Sequence, residues 1–349
     1  MLTKRVQSLS TSLTIAISTL AGELKAQGKD IISFSAGEPD FGTPEVIKEE
    51  AKKALDANYT RYTAVPGIPE LLEAIATKLK RDNNLEYKPS QIIASNGAKH
   101  SLFNLFQALI EEGDEVIIPA PYWVTYPELV TYSGGKSVYI ETTDKDNFKI
   151  TAEQLKAAIT PKTKMLILTT PSNPSGAVYS KEELEALAEV LEGTDIFVAS
   201  DEMYEKLVYD GEFTAVASIS DDMFKRTITI NGLSKSVAMT GWRFGYLASP
   251  NDELIAAMKK LQSQSTSNIN SITQYAAIAG LDGRADADIE MMRKEFHKRR
   301  DLAVELFNQS DKLSVAKPDG AFYLFVNIQK VTDDSMKFCK KLLEEKASL

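Results

Sequence analysis

A lysine that follows a short apolar run through a turn of small residues is the side chain in this sequence best suited to covalent chemistry. Lys235 comes after the run at 227–230, in the segment Gly232-Leu233-Ser234-Lys235, and Arg243 follows in the same stretch. Burial and a nearby cation both lower the pKa of an amine, and an uncharged amine attacks aldehydes. The pattern predicts a nucleophilic lysine, although Lys235 taken alone is more simply interpreted as a surface lysine after a strand.

An acidic residue ends another apolar run. Asp201 follows the run at 196–199, and a carboxylate at the end of a buried strand needs a cation or a strong hydrogen-bond donor to offset its desolvation. A protonated pyridine nitrogen would be such a partner, and Tyr204 is close enough in sequence to reach the same ligand. On its own, the Ser-Asp-Glu stretch is at least as well interpreted as the start of a helix, with Asp201 as a cap.

Other loops carry groups suited to a planar, anionic ligand. The backbone N–H groups of Ala98 and Lys99 begin a predicted helix and could hold an anion. Trp123 could stack on a ring or simply pack in the core. Asn173 lies in a Pro-Ser-Asn-Pro-Ser-Gly turn, where it could donate to a ring oxygen or serve only as a turn residue. The chain has neither a P-loop nor a G-x-G-x-x-G fingerprint, so a nucleotide site has no support.

The elements that must position these side chains are short apolar runs, each followed by a polar loop and often by a helical segment. Such runs are too short for helices and are typical of parallel strands that are buried on both faces. The runs are residues 92–94, 115–118, 165–168, 196–199 and 227–230. Intervening helices predicted at 102–109 and 182–191 indicate an α/β fold. Ligands bind beyond the carboxyl ends of such strands, so the loops should converge on one site.

The pattern changes after about residue 282. A long charged helix is predicted over 288–308, a strand over 321–326 and an amphipathic helix over 334–346. Together with the N-terminal segment, these elements fit a second, smaller α+β unit packed beside the first.

The composition excludes several classes of protein. The chain has 349 residues and a net charge of −9, with 43% hydrophobic and 26% charged residues, which is typical of a globular protein of about two domains. Its acidic balance disfavours nucleic acid as a partner. One cysteine, Cys339, excludes a disulfide framework, and His100 and His297 lack metal-ligand spacing, so we expect no metal site.

No apolar run is long enough to cross a membrane, which takes about 18 residues or more. Residues 13–21 are interpreted as part of an amphipathic opening helix rather than a secretory signal, because serine and threonine interrupt them. We therefore expect a cytoplasmic protein without a membrane partner.

Taken together, these residues resemble the class I pyridoxal-phosphate-dependent aminotransferases, and within that family the bacterial aspartate aminotransferases. The resemblance extends over nearly the whole chain, because the similar motifs occur in the same order. They are residues 35–41, Tyr62 with Pro66-Gly67, Pro121-Tyr122-Trp123, the Asn173 turn, Asp201-x-x-Tyr204, and Gly232-Leu233-Ser234-Lys235 with Arg243.

The resemblance implies fold type I and a homodimer with active sites at its interface. It also implies a mostly parallel, seven-stranded sheet that lies between helices. The large domain, which binds pyridoxal 5'-phosphate (PLP), would span 44–285. A smaller α+β domain would be built from both termini, at 1–43 and 286–349.

The resemblance also implies roles for individual residues. Lys235 would carry PLP covalently and then act as the general base. Asp201 would pair with the ring nitrogen and keep the ring electron-withdrawing. Tyr204 and Asn173 would bond the phenolic oxygen of the ring, and Trp123 would stack on the ring.

At the phosphate end, the resemblance implies that Arg243 binds the anion as a charge-assisted pair, with the backbone of Ala98 and Lys99. Tyr62 would reach the phosphate in the neighbouring subunit. The resemblance also implies that the substrate binds against Gly37, Trp123 and Asn173. It also implies cis peptide bonds before Pro121 and Pro174.

Two positions depart from the family pattern. Gly232 stands where many relatives have a serine that binds phosphate, and Ser234 is the nearby hydroxyl. No residue matches the C-terminal arginine with which the family grips the substrate α-carboxylate. From the second departure we expect that the C-terminal part of the protein is missing from this chain.

The activity implied is transfer of the amino group of L-aspartate to 2-oxoglutarate by a ping-pong mechanism. The alternatives are an aromatic or prephenate aminotransferase, a PLP-dependent carbon–sulfur β-lyase, or a truncated protein that binds the cofactor but is catalytically weak. Residues 10–14 and 264–268 are candidates for reading the substrate's side-chain carboxylate, and no physical argument selects among them.

Overall fold

One seven-stranded sheet organises the chain, of which the computed structural model describes residues 2–10, 13–32, 34 and 37–346. The strands are β1 (Ile92–Asn96), β2 (Glu115–Pro119), β3 (Lys136–Ile140), β4 (Thr163–Thr169), β5 (Phe197–Asp201), β6 (Thr227–Gly232) and β7 (Phe244–Ala248). Their order is β1-β7-β6-β5-β4-β2-β3. Only β7 runs against its neighbours, and its pairing with β6 places Gly245 opposite Gly232.

The prediction of buried parallel strands is confirmed. All residues of β6 and β7 are buried, and so are the central residues of β1, β2, β4 and β5. Side chains alternate between the two faces of a strand, so successive residues pack in different core clusters. In β1, Ile92 and Ala94 belong to one hydrophobic cluster, and Ile93 belongs to a second cluster. The sheet is therefore covered by helices on both faces, as expected of an α/β fold.

Thirteen α-helices surround and extend the sheet in the described part of the chain. They are α1 (Lys4–Gln7), α2 (Leu13–Ala26), α3 (Glu45–Asp56), α4 (Pro69–Asn83), α5 (Ala98–Leu109), α6 (Thr125–Ser133), α7 (Ala152–Ala158), α8 (Lys181–Leu191), α9 (Asp221–Arg226), α10 (Asp252–Ser263), α11 (Ser271–Leu281), α12 (Asp286–Asn308) and α13 (Ser335–Lys346). Short 3-10 helices lie at Pro89–Gln91, Asp144–Asp146 and Val216–Ser218. None of the helices described here is both long and apolar enough to cross a membrane.

Local chemistry explains where several helices begin. Ser180 and Glu183 form a capping box at the start of α8, in which each side chain accepts the other's backbone N–H. Asp334 accepts the backbone N–H of Lys337 and so begins α13. The predicted helices at 102–109, 182–191, 288–308 and 334–346 are confirmed, with α5 and α12 starting earlier than expected.

The predicted strand at 321–326 is wrong. The segment makes only isolated bridges at its flanks, Val208 with Gly320 and Ser314 with Asn327. Ala321 has a positive φ of 57°, which interrupts an extended conformation. Apolar character alone suggested a strand, but in the structure these side chains pack on α12 and on the loops beyond the sheet rather than joining a ladder.

The two ends of the described chain meet. Ala21 and Leu24 of α2 form a small core cluster with Leu343 of α13. This packing is compatible with a smaller unit built from both termini. Residues 11, 12, 35 and 36, which belong to the candidate stretches of the sequence, lie outside the described residues.

Candidate active site

The carboxyl ends of the parallel strands bring the predicted side chains to one edge of the sheet. Strand β5 ends at Asp201, β6 leads through a turn to Lys235, and β1 leads to the start of α5 at Ala98. The charges of Asp201 and Arg243 both act on the amine of Lys235. Direct contacts also join the strand ends, because Tyr126 bonds Asp201 and packs against Trp123, which in turn lies beside Lys99. The convergence predicted from the strand ends is therefore present.

Lys235 is half-buried and lies between the N-terminal segment and an aromatic ring. Its Nζ donates a hydrogen bond to the carbonyl oxygen of Gly37 and lies 5.7 Å from the ring centre of Phe322. The pKa of the Lys235 amine is lowered to about 8: burial is the main cause and Arg243 adds to it, while the carboxylates of Glu38 and Asp201 oppose the shift. The amine is thus far easier to deprotonate than that of an ordinary lysine.

Asp201 is buried, and two hydrogen bonds hold its carboxylate, which forms no ion pair with a described side chain. The hydroxyl of Tyr126 donates to Oδ2 at 2.7 Å, and the backbone N–H of Met203 donates to Oδ1 at 3.3 Å. Burial raises the pKa of Asp201, whereas these two hydrogen bonds and Lys235 lower it. The residues after Asp201 form a turn and not a helix, so the helix-cap interpretation is wrong.

Tyr204 follows in that turn and pairs with a residue from the other end of the chain. Its hydroxyl lies 2.5 Å from the hydroxyl of Tyr323. Burial raises the pKa of both phenols, that of Tyr323 to about 12. A Cβ on residue 37 would collide with the Tyr323 hydroxyl, which explains why Gly37 has no side chain. The Gly37 backbone is thereby held against both Tyr323 and Lys235.

A cationic pair lies at the start of α5. Gly97 has a φ of +79°, and a Cβ there would lie 2.5 Å from Nη2 of Arg243, so the guanidinium packs directly on this turn. Lys99 lies 4.8 Å from the ring centre of Trp123, and burial followed by the charge of Arg243 lowers its pKa. Among the described residues, no carboxylate forms an ion pair with either cation, so the pair is suited to an anion.

A small cavity at the carboxyl ends of β2 and β4 is lined in part by the predicted Asn173. Its lining also includes Tyr122, Tyr126, Thr169 and Ser172. Trp123 packs edge-on against Tyr126, with ring centres 5.4 Å apart. The peptide bonds before Pro121 and Pro174 are cis, which confirms those predictions, and the bond before Pro171 is cis as well.

Some predicted residues are not part of this cluster. The side chain of Tyr62 is 91% exposed on the single chain. Ser234, the residue before Lys235, is buried. Residues 264–268 follow α10, where the side chains of Ser265 and Asn268 bond the local backbone of Gln262 and Ile269.

Sequence reasoning missed Tyr126, Thr169 and Tyr323. Tyr126 follows Trp123 by less than one helical turn, and that spacing is the signal that could have indicated a shared role. Tyr323 fell in the segment wrongly predicted to be a strand. No local pattern relates Tyr323 to Tyr204, because the two residues come from distant parts of the chain.

A half-buried lysine of lowered pKa at the carboxyl edge of a mostly parallel sheet is the arrangement of a fold type I transferase. A buried carboxylate and two cations that pair with no described carboxylate accompany it. Comparison with known proteins agrees with this class. The chain belongs to the class I and II aminotransferase family, because the model of that family matches residues 29–348. Enzymes of this family depend on PLP.

Similar proteins include two curated bacterial enzymes. The aspartate aminotransferase of Bacillus subtilis is 49% identical over 99% of this chain and 88% of its own length. The aspartate/prephenate aminotransferase of Cereibacter sphaeroides is 48% identical over 96% of this chain and 86% of its own. A solved structure of Thermus thermophilus aspartate aminotransferase with maleate has a TM-score of 0.95 and 43% identity, and the match covers 99% of this chain and 89% of that one.

Proposed function

We propose that the protein is an aminotransferase that passes the amino group of L-aspartate to 2-oxoglutarate, yielding oxaloacetate and L-glutamate. The observation that carries the proposal is the environment of Lys235, a half-buried amine of lowered pKa placed beside Asp201 and Arg243. The identity of 49% to an enzyme named for aspartate supports the choice of substrate.

The side chains of the site fit PLP. Lys235 offers an amine for the aldehyde, the buried Asp201 a carboxylate for the ring nitrogen, and Arg243 with Lys99 two cations for the phosphate. Gly97 leaves room for the guanidinium, and the backbone of Ala98 adds N–H groups at the start of α5. When bound, PLP supplies an aldehyde that condenses with amines and a ring that withdraws electrons.

The side chains of the site would each have a separate role in the reaction. Lys235 would take a proton from the α-carbon of the substrate as a general base and give it back as a general acid. Asp201 would accept a hydrogen bond from the ring nitrogen of the cofactor and so keep that nitrogen protonated. Tyr204 and Asn173 would donate to the phenolic oxygen, and Trp123 would stack on the ring.

The substrate side is formed by Gly37, Trp123 and Asn173. Gly37 has a bare backbone that a substrate carboxylate can approach closely, and its carbonyl oxygen already lies against Lys235. Asn173 lines a small cavity together with Tyr126, the hydrogen-bond partner of Asp201, which supports a place for its amide near the cofactor ring.

The proposal includes a homodimer and two domains. The exposed Tyr62 has an aromatic ring and a hydroxyl open to solvent, which suits a residue that completes the phosphate site of a second copy. The large domain would span 44–285, and the smaller one would combine 1–43 with 286–349, as the contact of α2 with α13 supports. Sedimentation of the PLP-loaded protein as a monomer at micromolar concentration would contradict the dimer.

The function is tested by the visible spectrum of the PLP-loaded protein. L-Aspartate should bleach the absorption band of the lysine-bound cofactor, and 2-oxoglutarate should restore it, with oxaloacetate measured as product. A band that no acidic or aromatic amino donor bleaches would refute the proposal. Release of pyruvate, ammonia and thiol from a sulfur amino acid would instead indicate a carbon–sulfur β-lyase.

Prephenate is a second candidate acceptor, because the Cereibacter sphaeroides relative is named for both aspartate and prephenate. Competition between prephenate and 2-oxoglutarate for the aminated enzyme decides between the two. A larger kcat/KM for prephenate would assign the protein to that reaction.

A further inference from the structure

A short N-terminal segment, residues 37–41, lies directly over Lys235. Its first residue, Gly37, accepts a hydrogen bond from Lys235 Nζ and is confined by the Tyr323 hydroxyl. The segment therefore limits access to the amine from one side. The position of residues 37–41 therefore affects the reactivity of Lys235 and the shape of the space in which a substrate would bind.

The far end of the segment is held by one arginine of helix α12. Arg299 Nη1 donates to Asp40 Oδ1 at 2.8 Å, and Arg299 Nε also bonds Glu295 at 3.1 Å. The guanidinium carbon lies 5.2 Å from the ring centre of Phe41 and 5.7 Å from that of Phe296. Arg299 thus combines an ion pair with two cation–π contacts on adjoining residues.

Aromatic contacts connect the site with the clamp formed by the contacts of Arg299 with Asp40 and Phe41. Phe41 packs edge-on against Phe296 at 5.4 Å, and Phe296 stacks on Phe322 at 5.1 Å. Phe322 in turn lies 4.8 Å from Tyr323 and beside Lys235. Helix α12, the segment and the Tyr323 loop are therefore packed as one unit, and its outermost member is Arg299.

Arg299 itself is remote from the reacting groups. Its side chain is 46% exposed, and its contacts are with residues of α12 and of the segment. Any effect it has on the site must be transmitted through residues 37–41 or through the ring of Phe296, which stacks on Phe322.

We propose that Arg299 is a positioning residue that holds residues 37–41 closed over Lys235, through Asp40 and Phe41. The inference deepens the proposed function, because it assigns the closure of the substrate side to one contact between α12 and the segment. Loss of the contact leaves Gly37 correctly placed in a smaller fraction of molecules, and apparent substrate affinity falls in proportion to that fraction.

The test compares Arg299→Gln with Arg293→Gln. Arg293 is the matched control: it lies on the same helix, pairs with Glu290 at 2.7 Å and bonds the carbonyl oxygen of Val208, away from the segment. Both variants remove one guanidinium and one charge. Asp40→Asn removes the ion pair and leaves Arg299 over Phe41.

The first measurement is amide hydrogen exchange of residues 37–41 in the PLP-loaded protein without substrate. We expect Arg299→Gln to accelerate exchange about fivefold, since exposed ion pairs and cation–π contacts are individually weak. Asp40→Asn should give a smaller acceleration, and Arg293→Gln none. The second measurement is steady-state kinetics, in which Arg299→Gln should raise KM for L-aspartate about fivefold with kcat nearly unchanged.

Unchanged exchange in Arg299→Gln, or equal acceleration in Arg293→Gln, would overturn the proposal. A fall in kcat with KM unchanged would also overturn it, because Arg299 would then affect the rate of the chemical step and not the position of residues 37–41. Should Arg299→Gln not fold, Arg299→Lys keeps the charge, loses the planar stacking and answers the same question. Hydrogen exchange does not depend on turnover, so inactivity toward L-aspartate would refute the proposed function and leave the test of the clamp intact.

Discussion

The hydroxyl of Tyr126 donates a 2.7 Å hydrogen bond to the carboxylate of Asp201, in a site where both side chains are buried. The same hydroxyl lies 2.9 Å from Thr169 Oγ1, so its orientation is fixed from two sides. Tyr126 therefore supports the carboxylate oxygen opposite the one that the Met203 backbone supports.

Replacing Tyr126 with phenylalanine should weaken the hold on the cofactor ring. Asp201 would lose a donor that lowers its pKa, so more of its carboxyl group would be protonated and unable to pair with the ring nitrogen. We expect kcat to fall about tenfold or more, given about 1.5–3 kcal/mol for a buried hydrogen bond to a charged group. Tyr132→Phe, on the same helix but away from Asp201, is the control and should be active.

Lys235→Ala should abolish the covalent link to PLP. We expect the folded protein to lose the absorption band of lysine-bound cofactor and nearly all transamination, because no other described lysine shares its environment beside Asp201. Circular dichroism checks the fold and the visible spectrum checks the link. An unchanged band would mean that another amine carries the cofactor.

Gly97→Ala should weaken cofactor binding through Arg243. The new Cβ would lie 2.5 Å from Nη2 and displace the guanidinium from the start of α5. Gly113→Ala is a matched control, because Gly113 also has a positive φ, of +101°, but open space around it. Both variants should lose about 1–3 kcal/mol of stability from backbone strain.

Only Gly97→Ala should also raise the dissociation constant for PLP, by about tenfold, equivalent to about 1.4 kcal/mol. Equal PLP affinities in the two variants would show that Arg243 does not act at this turn. Titration of PLP into the cofactor-free protein, followed by fluorescence quenching, provides the measurement.

The reactivity of Lys235 should rise with pH around its lowered pKa of about 8, because only the uncharged amine is nucleophilic. Acetylation of the cofactor-free protein by trace acetic anhydride, quantified on the Lys235 peptide, gives the midpoint. Arg243→Gln removes a neighbouring cation, so the pKa of Lys235 should rise. Glu38→Gln removes a carboxylate that stabilises the charged form, so the pKa should fall. Shifts of the same sign in both variants would contradict this electrostatic account.

The sequence allowed five of the seven strands to be predicted, and it missed β3 and β7. Strand β3 is an edge strand with partly exposed residues and a polar start at Lys136, so it shows no continuous apolar run. Strand β7 is buried throughout, but it is short, contains Gly245 and follows Arg243 directly, so its residues were assigned to the motif around Arg243 and not to a strand.

Within the site, the sequence allowed the prediction of residues that follow strands, such as Asp201 and Lys235, because topology forces strand ends together. Tyr323 and Arg299 could not be found that way. Their partners, Tyr204 and Asp40, lie far away in the sequence, and only the packing of α12 and its following loop on the sheet edge brings them together.

Gly232 and Gly245 pair at the ends of two neighbouring strands and bring together the ends of the segment between them. The chain between them leaves the sheet and returns to the neighbouring strand, so it forms a loop with a narrow neck, of the Ω type. Lys235 and Arg243 both belong to this loop, and Gly245 at its neck packs against the backbone of Ala98. Under the proposed function, the residue that would bind the cofactor covalently and the residue that would bind its phosphate therefore lie on the same short loop, so we expect their spacing to be insensitive to movement of the terminal segments.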